Sequence, residues 1–170
     1  PKNEFLKRAA QIKGVYVPDF YEVDYDADGR VSSVKAIEGA PEIVEKRIIQ
    51  DLNSVYYPIK TVVPSTEIVH DRVMLEVFRG CIRGCRFCQA GYIYRPVREK
   101  SPDTLINNGI EALKHSGYQE VSLSSLSTSD YRPLKDLCDG LLDWCEPNNT
   151  NLSLPSLRAD NFSFELMERV

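Results

Sequence analysis

No apolar run in the 170-residue sequence approaches the roughly 18 residues of a membrane-spanning helix, so no membrane segment is expected. The opening residues, Pro1-Lys2-Asn3-Glu4, are followed by no apolar core, so no signal-peptide pattern is present. There is no initiator Met, and the chain stops mid-pattern at Glu165-Leu166-Met167-Glu168-Arg169-Val170, which leads us to expect a piece of a longer protein. Internal repeats and low-complexity segments are also lacking. Cysteine is sparse: five residues, an odd number, with three inside eight positions. Thiols packed that closely cannot staple distant parts of a fold. This argues against a secreted disulfide scaffold and for thiolates in a reducing compartment, so the expected location is cytoplasmic.

What is present divides into two parts. Residues 1–70 read as an α+β arm and linker, without an independent core. The pattern predicts a short helix over 1–13 that ends at Gly14, and a hairpin of Tyr21–Tyr25 with Arg30–Ile37. The hairpin turn, Asp24-x-Asp26-x-Asp28-Gly29, mimics the start of a calcium loop, but Lys35 stands where a bidentate Glu is required, so we read a plain turn. Pro41 to Tyr57 carries a helical stripe of Ile43, Val44, Arg47, Ile48 and Leu52, and predicts a helix. Pro58–Pro64 is bounded by prolines and reads as an extended linker.

From 71 to 170 the rhythm changes to strand, loop, helix. The predicted strands are Val73–Phe78, Glu120–Leu126 and Asn151–Pro155. The predicted helices run from the N-cap Ser101 to Gly117, from about Pro133 to Cys145, and onward from about Ser163. Three strand–helix units in series imply a parallel α/β arrangement. Loops after the strands then gather on one face, which brings the loop after strand one, the polar tip Ser127–Asp130 and Arg158 together.

The loop after strand one holds Gly80-Cys81-Ile82-Arg83-Gly84-Cys85-Arg86-Phe87-Cys88, a C-x-x-x-C-x-x-C spacing. Thiolates so arranged bind soft metals. Closing a structural zinc site needs a fourth ligand, to be sought at Cys138, Cys145 or His70. Cys138 and Cys145 lie on an apolar helical face, where free cysteines act as small apolar residues, and a lone His70 before a strand is more often structural. Three thiolates without a fourth suit a four-iron cluster with one iron left open. A non-catalytic zinc- or RNA-binding module is the alternative. From Arg79 to Lys100 the net charge is +5 in a chain of −4. Either an anionic ligand sits near the cysteines or the loop is simply a solvated basic one.

With Phe87 directly before Cys88, the motif reads C-x-x-x-C-x-(aromatic)-C and resembles the radical S-adenosylmethionine (radical SAM) superfamily. The longer strings from Glu76 to Cys88-Gln89-Ala90-Gly91, Tyr94-Arg95-Pro96-Val97-Arg98-Glu99, and Ser122 to Tyr131 are similar to uncharacterised radical SAM proteins with a cobalamin-binding-like N-terminal domain. The resemblance implies an α/β fold, the first half of a partial (β/α)6 barrel preceded by the arm. It implies an iron–sulfur, metal-binding enzyme in which Cys81, Cys85 and Cys88 ligate a [4Fe-4S] cluster. The open iron takes S-adenosyl-L-methionine, and an electron donor drives its cleavage to a 5′-deoxyadenosyl radical. The substrate and the reaction are not specified, and an isolated fragment need not be active. Phe87 would lie near the adenine. Where such proteins carry a Gly-Gly-Glu-like motif, this chain has Ser124-Ser125-Leu126-Ser127, whose hydroxyls of Ser124, Ser125 and Ser127 would hold the methionyl amino group without a carboxylate. Arg158 would pair with the methionyl carboxylate or a substrate anion, or is a surface arginine. No residue is assigned as catalytic. No D-x-H-x-x-G signature occurs, so cobalamin is unsupported in this chain. An anionic or RNA-type substrate would suit the basic loop.

Overall fold

A computed structural model describes residues 2–161, 166, 168 and 169. It divides into two compact units, 1–49 and 50–170. The division therefore falls before the 50–70 segment that the sequence pattern groups with the arm.

In the first unit, α1 (Lys2–Ala10) is followed by a 3-10 turn at Pro18–Phe20 and a hairpin of β1 (Tyr21–Tyr25) and β2 (Val31–Ala36). The strands are antiparallel, with Val23 opposite Val34 and Tyr25 opposite Val31. The turn is closed by Asp26, whose Oδ1 accepts from the amides of Asp28 (3.0 Å) and Arg30 (2.8 Å). Asp24 is paired with Lys35 at 3.2 Å, so two of the acids that imitate a calcium loop are engaged within the hairpin. A small core of Ala10, Val17 and Phe20 holds the unit together. The helix expected over 41–57 is absent. That segment is irregular: Ile43 is 79% exposed, Val44 and Ile48 are half-buried and Leu52 is buried, so the stripe is not covered along its length, and a helix of this length that is not packed throughout is marginal in water.

The second unit is a three-stranded parallel sheet with two helices on one face. β3 (Val73–Glu76) leads into β4 (Phe78–Arg79); after the cysteine segment come α2 (Ala90–Ile93), β5 (Arg98–Glu99), α3 (Pro102–Ser116), β6 (Glu120–Ser124), α4 (Leu134–Cys145) and β7 (Asn151–Ser153). The sheet order is β3-β6-β7, with Leu75 beside Leu123 and Val121 beside Leu152. Side-chain alternation gives the sheet two characters. Val73, Leu75, Val121, Leu123 and Leu152 are buried in the core with the helices, whereas Met74, Glu76, Ser122, Ser124 and Ser153 take the alternate positions of the ladder.

The caps explain why α3 lies where it does. Ser101 Oγ accepts from the Thr104 amide, Pro102 occupies the first turn, and Gly117 ends the helix at φ +72° with its amide on the Leu113 carbonyl. Gly109 is enclosed by Leu75 and Leu141, and Gly140 by Ile106, so two small residues let α3 approach both the sheet and α4. The inward residues of α4 are those expected, Leu134, Leu137, Cys138, Leu141 and Leu142, joined by Cys145. Burial pushes the Cys138 thiol up to about 12 and the Cys145 thiol up to about 11, so both stay protonated and pack as apolar groups. The helix expected from Ser163 lies outside the described residues.

Leu75 is fully buried where β3, α3 and α4 meet. Leu75→Ala is expected to cost about 2–5 kcal/mol in urea unfolding, whereas Met74→Ala, at a half-exposed position on the same strand, changes stability by less than about 1 kcal/mol.

Candidate functional site

The first strand does not run unbroken to Phe78. The Val77 amide still donates to the Ser124 carbonyl (3.0 Å), while the Val77 carbonyl accepts from Lys100 (3.0 Å). The chain then changes partner: Phe78 pairs with Glu99 and Arg79 with Arg98, antiparallel. This short ladder closes the base of a loop spanning residues 80–97, so all three motif cysteines sit on a segment tied at both ends. Gly80 makes the closure possible. Its φ is +91°, and a Cβ there would meet the carbonyls of Tyr94 and Pro96 at 2.8 Å each.

Cys81, Cys85 and Cys88 are free and half-buried. The Arg83 amide donates to Cys81 Sγ at 3.4 Å, and the Cys88 amide to the Cys85 carbonyl at 3.1 Å. Among the described residues, no three His, Cys, Asp or Glu side chains are gathered closely enough to hold a metal ion. The fourth-ligand candidates stand elsewhere. Cys138 and Cys145 are in the core, and His70 contacts Arg72, which pairs with Glu120 at the opposite end of the strands.

The loops after the three parallel strands do converge, through one carboxylate. Asp130 follows β6, and its side chain is only 4% exposed. Arg83 grips both of its oxygens: Nε donates to Oδ2 at 2.9 Å and Nη2 donates to Oδ1. Ser127 Oγ donates to Oδ2 (2.8 Å) and Asn161 Nδ2 to Oδ1 (3.0 Å). Asn161 Nδ2 also reaches the Ser129 carbonyl (2.9 Å), and the Arg158 amide donates to Ser129 Oγ (3.1 Å). The cysteine loop, the serine tip and the turn after β7 are thus one hydrogen-bonded body. The Arg83 guanidinium is the main cause holding the Asp130 carboxyl far below the usual range, and it is itself held charged by Asp130.

Beside this knot lies a cleft of about 300 Å³, walled by Phe78, Ile82 and Val97 and edged by Cys81, Ser127 and Asp130. Among the candidates from sequence, Cys81 and Ser127 share this cleft. Arg158 is paired with Asp160 through Nε and Nη2 at 3.0 Å each, and interacts electrostatically with Cys85. Ser125 shares a hydrogen bond with Thr128 Oγ1 (2.9 Å). Phe87 is 94% exposed. Phe87, Cys88, Ser124 and Ser125 do not line the cleft. Much of the hydrogen-bonding capacity of the loop's arginines is used internally. Arg79 forks onto Glu76 (2.6 and 2.9 Å), Arg83 onto Asp130, and Arg98 donates to the carbonyls of Pro96 and Tyr94. The role of Asp130 was missed by motif reading; the available signal was an acid three residues beyond Ser127 facing an arginine set between two cysteines.

No family model matches the chain, and no solved structure matches it. Over 145 residues, 85% of this chain and 31% of the relative, it is 32% identical to an uncharacterized protein of the archaeon Methanocaldococcus jannaschii. Over 161 residues, 84% of this chain and 36% of the relative, it is 24% identical to a protein of the same archaeon that is provisionally named a methylthiotransferase. The chain spans about a third of the length of the curated relatives it matches. Among the described residues no helix is long and apolar enough to cross a membrane.

The Asp130 network carries its own pH signature. A carboxyl depressed in the folded state stabilises it fully above the unfolded value, about 4, and the stabilisation is lost as pH falls further toward the folded value. Asp130→Asn is expected to unfold more readily at pH 7, by about 2–4 kcal/mol, and to flatten the stability loss between pH 5 and about pH 3. Urea unfolding at pH 7, pH 5 and about pH 3 measures both.

Proposed function

We propose that the chain is the first part of a radical SAM barrel, in which Cys81, Cys85 and Cys88 hold a [4Fe-4S] cluster and the adjoining cleft receives part of S-adenosylmethionine. The observation that carries this reading is three free thiols on one loop that is closed at its base and locked by Arg83 to the ends of the neighbouring parallel strands. The donor set fits the group. Three thiols come from one loop, and the remaining cysteines and His70 are committed elsewhere, which leaves a metal position for a ligand. An amide already donates to one sulfur, as thiolate ligands require. Gathering the three sulfurs calls for adjustment within 81–88, a stretch whose own backbone bonding among the described residues is the Cys88–Cys85 turn. The distant likeness to a protein provisionally named a methylthiotransferase supports the same reading.

A bound cluster would supply the electron that cleaves the sulfonium and starts hydrogen abstraction from a substrate. The chain's own residues position and shield. Ser127, whose proton goes to Asp130, keeps its lone pairs as acceptors at the cleft. Phe87 presents an exposed ring on which a purine can stack. The order β3-β6-β7, in which each parallel strand lies beside the next parallel strand of the chain, is the order in which a barrel grows.

Anaerobic reconstitution with iron and sulfide is expected to give a brown protein containing iron and acid-labile sulfide in equal amounts. Cys85→Ala removes the colour, and Cys138→Ala, aimed at a core thiol, keeps it. A colourless protein holding one zinc would overturn the reading in favour of a zinc module.

The substrate class we infer is anionic and RNA-like. Arg86 is exposed, the rings of Phe87, Tyr92 and Tyr94 on the same loop are exposed too, and Arg95 lies over the Tyr92 ring at 5.1 Å. Interleaved arginines and aromatics suit unstacked bases and phosphates. Binding of a single-stranded RNA is expected to weaken steeply between 50 and 200 mM salt, the range over which phosphate contacts are lost, and to weaken further in Arg86→Ala. Salt-independent or absent binding removes this substrate class.

A further inference from the structure

The knot that locks the cysteine loop extends into a row of four charges. Asp130 is gripped by Arg83. Arg83 Nη1 also stands 3.8 Å from Asp160 Oδ2, and Asp160 takes Nε and Nη2 of Arg158 at 3.0 Å each. The order is Asp130, Arg83, Asp160, Arg158, alternating in sign, and two acids cancel two arginines. This row acts on the motif thiols. The Arg83 amide donates to Cys81 Sγ at 3.4 Å, and Cys81 and Asp130 edge the same cleft. The Arg83 guanidinium interacts electrostatically with Cys81, and that of Arg158 with Cys85.

Tying down the loop requires only the Arg83–Asp130 fork. The turn after β7 is already fixed by the Arg158 amide on Ser129 Oγ and by Asn161. The Arg158–Asp160 fork joins two residues of that same turn and ties in no other element, so what it adds to the site is charge cancellation. Reducing a cluster adds one negative charge to it. An arginine with no counter-charge nearby stabilises the reduced form and so makes it a weaker electron donor. We propose that Asp130 and Asp160 keep the arginines beside Cys81 and Cys85 electrically neutral, so that these arginines shape the site without raising the reduction potential of the cluster. The proposal rests on the reading of the three cysteines as [4Fe-4S] ligands and adds the groups that set the potential. The two acids act through Arg83 and Arg158 and are not catalytic residues.

The test is an anaerobic redox titration, without S-adenosylmethionine, of the iron- and sulfide-reconstituted chain, of Asp160→Asn, of Arg158→Gln and of the double variant. Mediators hold one solution potential, and electron paramagnetic resonance reads the ratio of reduced to oxidised cluster. Asp160→Asn leaves an extra positive charge and is expected to raise that ratio about threefold to tenfold. Arg158→Gln leaves an extra negative charge and is expected to lower it by a similar factor. The double variant, neutral again, returns close to the unaltered value. The two side chains are 37% and 54% exposed, so these variants are expected to fold. Shifts of opposite sign that cancel in the double variant are not what a merely structural disturbance produces. Three outcomes overturn the proposal: single variants that leave the ratio unchanged, single variants that shift it in the same direction, or a double variant displaced as far as either single one. Iron and sulfide content of the same samples report separately on the cluster. Loaded samples with equal ratios refute the charge assignment alone, whereas an unaltered chain that takes up no cluster removes the cluster reading and this proposal with it.

Discussion

The placement of the cysteine loop depends on the grip of Arg83 on Asp130. A loop of eighteen residues, 80–97, carries the three motif thiols, and such a loop left to itself has many conformations to lose. Two constraints remove most of that freedom. The β4–β5 ladder joins its ends, and Arg83 fixes its interior to the polar tip after β6. Because Asp130 also takes Ser127 and Asn161, the same carboxylate ties in the turn after β7. A charge-assisted fork suits such a tether, since its two parallel bonds specify orientation as well as distance. Asp130 is almost fully covered, so the pair works in a setting where losing either partner leaves an unmatched charge.

This knot explains how a positive segment can sit in an acidic chain without being mainly a docking surface. Arg79, Arg83 and Arg98 each have an internal acceptor at the base or interior of the loop, and they set its shape. The exposed contribution comes from Arg86 and Arg95. Internally bonded and exposed arginines thus share one loop.

The helices and the parallel strands were legible in the sequence because their signals are local. Ser101, Pro102 and Gly117 mark the ends of α3 by backbone chemistry alone, and the α4 stripe has a core to fill. The 41–57 stripe misled for the reason that makes α4 reliable: periodicity states which face could be buried, and burial needs a partner surface that Ile43 does not have. The break at Val77 was not legible. Val73–Phe78 reads as one strand-forming run, apolar but for Glu76, and what divides it is Gly80, whose close approach to the carbonyls of Tyr94 and Pro96 accompanies the pairing of Phe78 and Arg79 with Glu99 and Arg98. That is a contact across about twenty positions, which no short window contains.

The candidate site shows the same split between chemistry and placement. Three thiols at C-x-x-x-C-x-x-C declare themselves by count, and convergence of the loops follows from the alternation of strands and helices. Which hydroxyl and which acid face the thiols does not. Ser124, Ser125 and Ser127 are equivalent in sequence, and only Ser127 reaches the cleft, because Ser125 is taken by Thr128 and Ser127 is drawn inward by Asp130. Glu99 and Asp130 are likewise both carboxylates on the cleft, yet one has every acceptor position filled and the other has none filled by a described residue. Function in such a site follows from which groups the fold leaves unsatisfied, and that remainder is known only after the internal hydrogen bonds have been assigned.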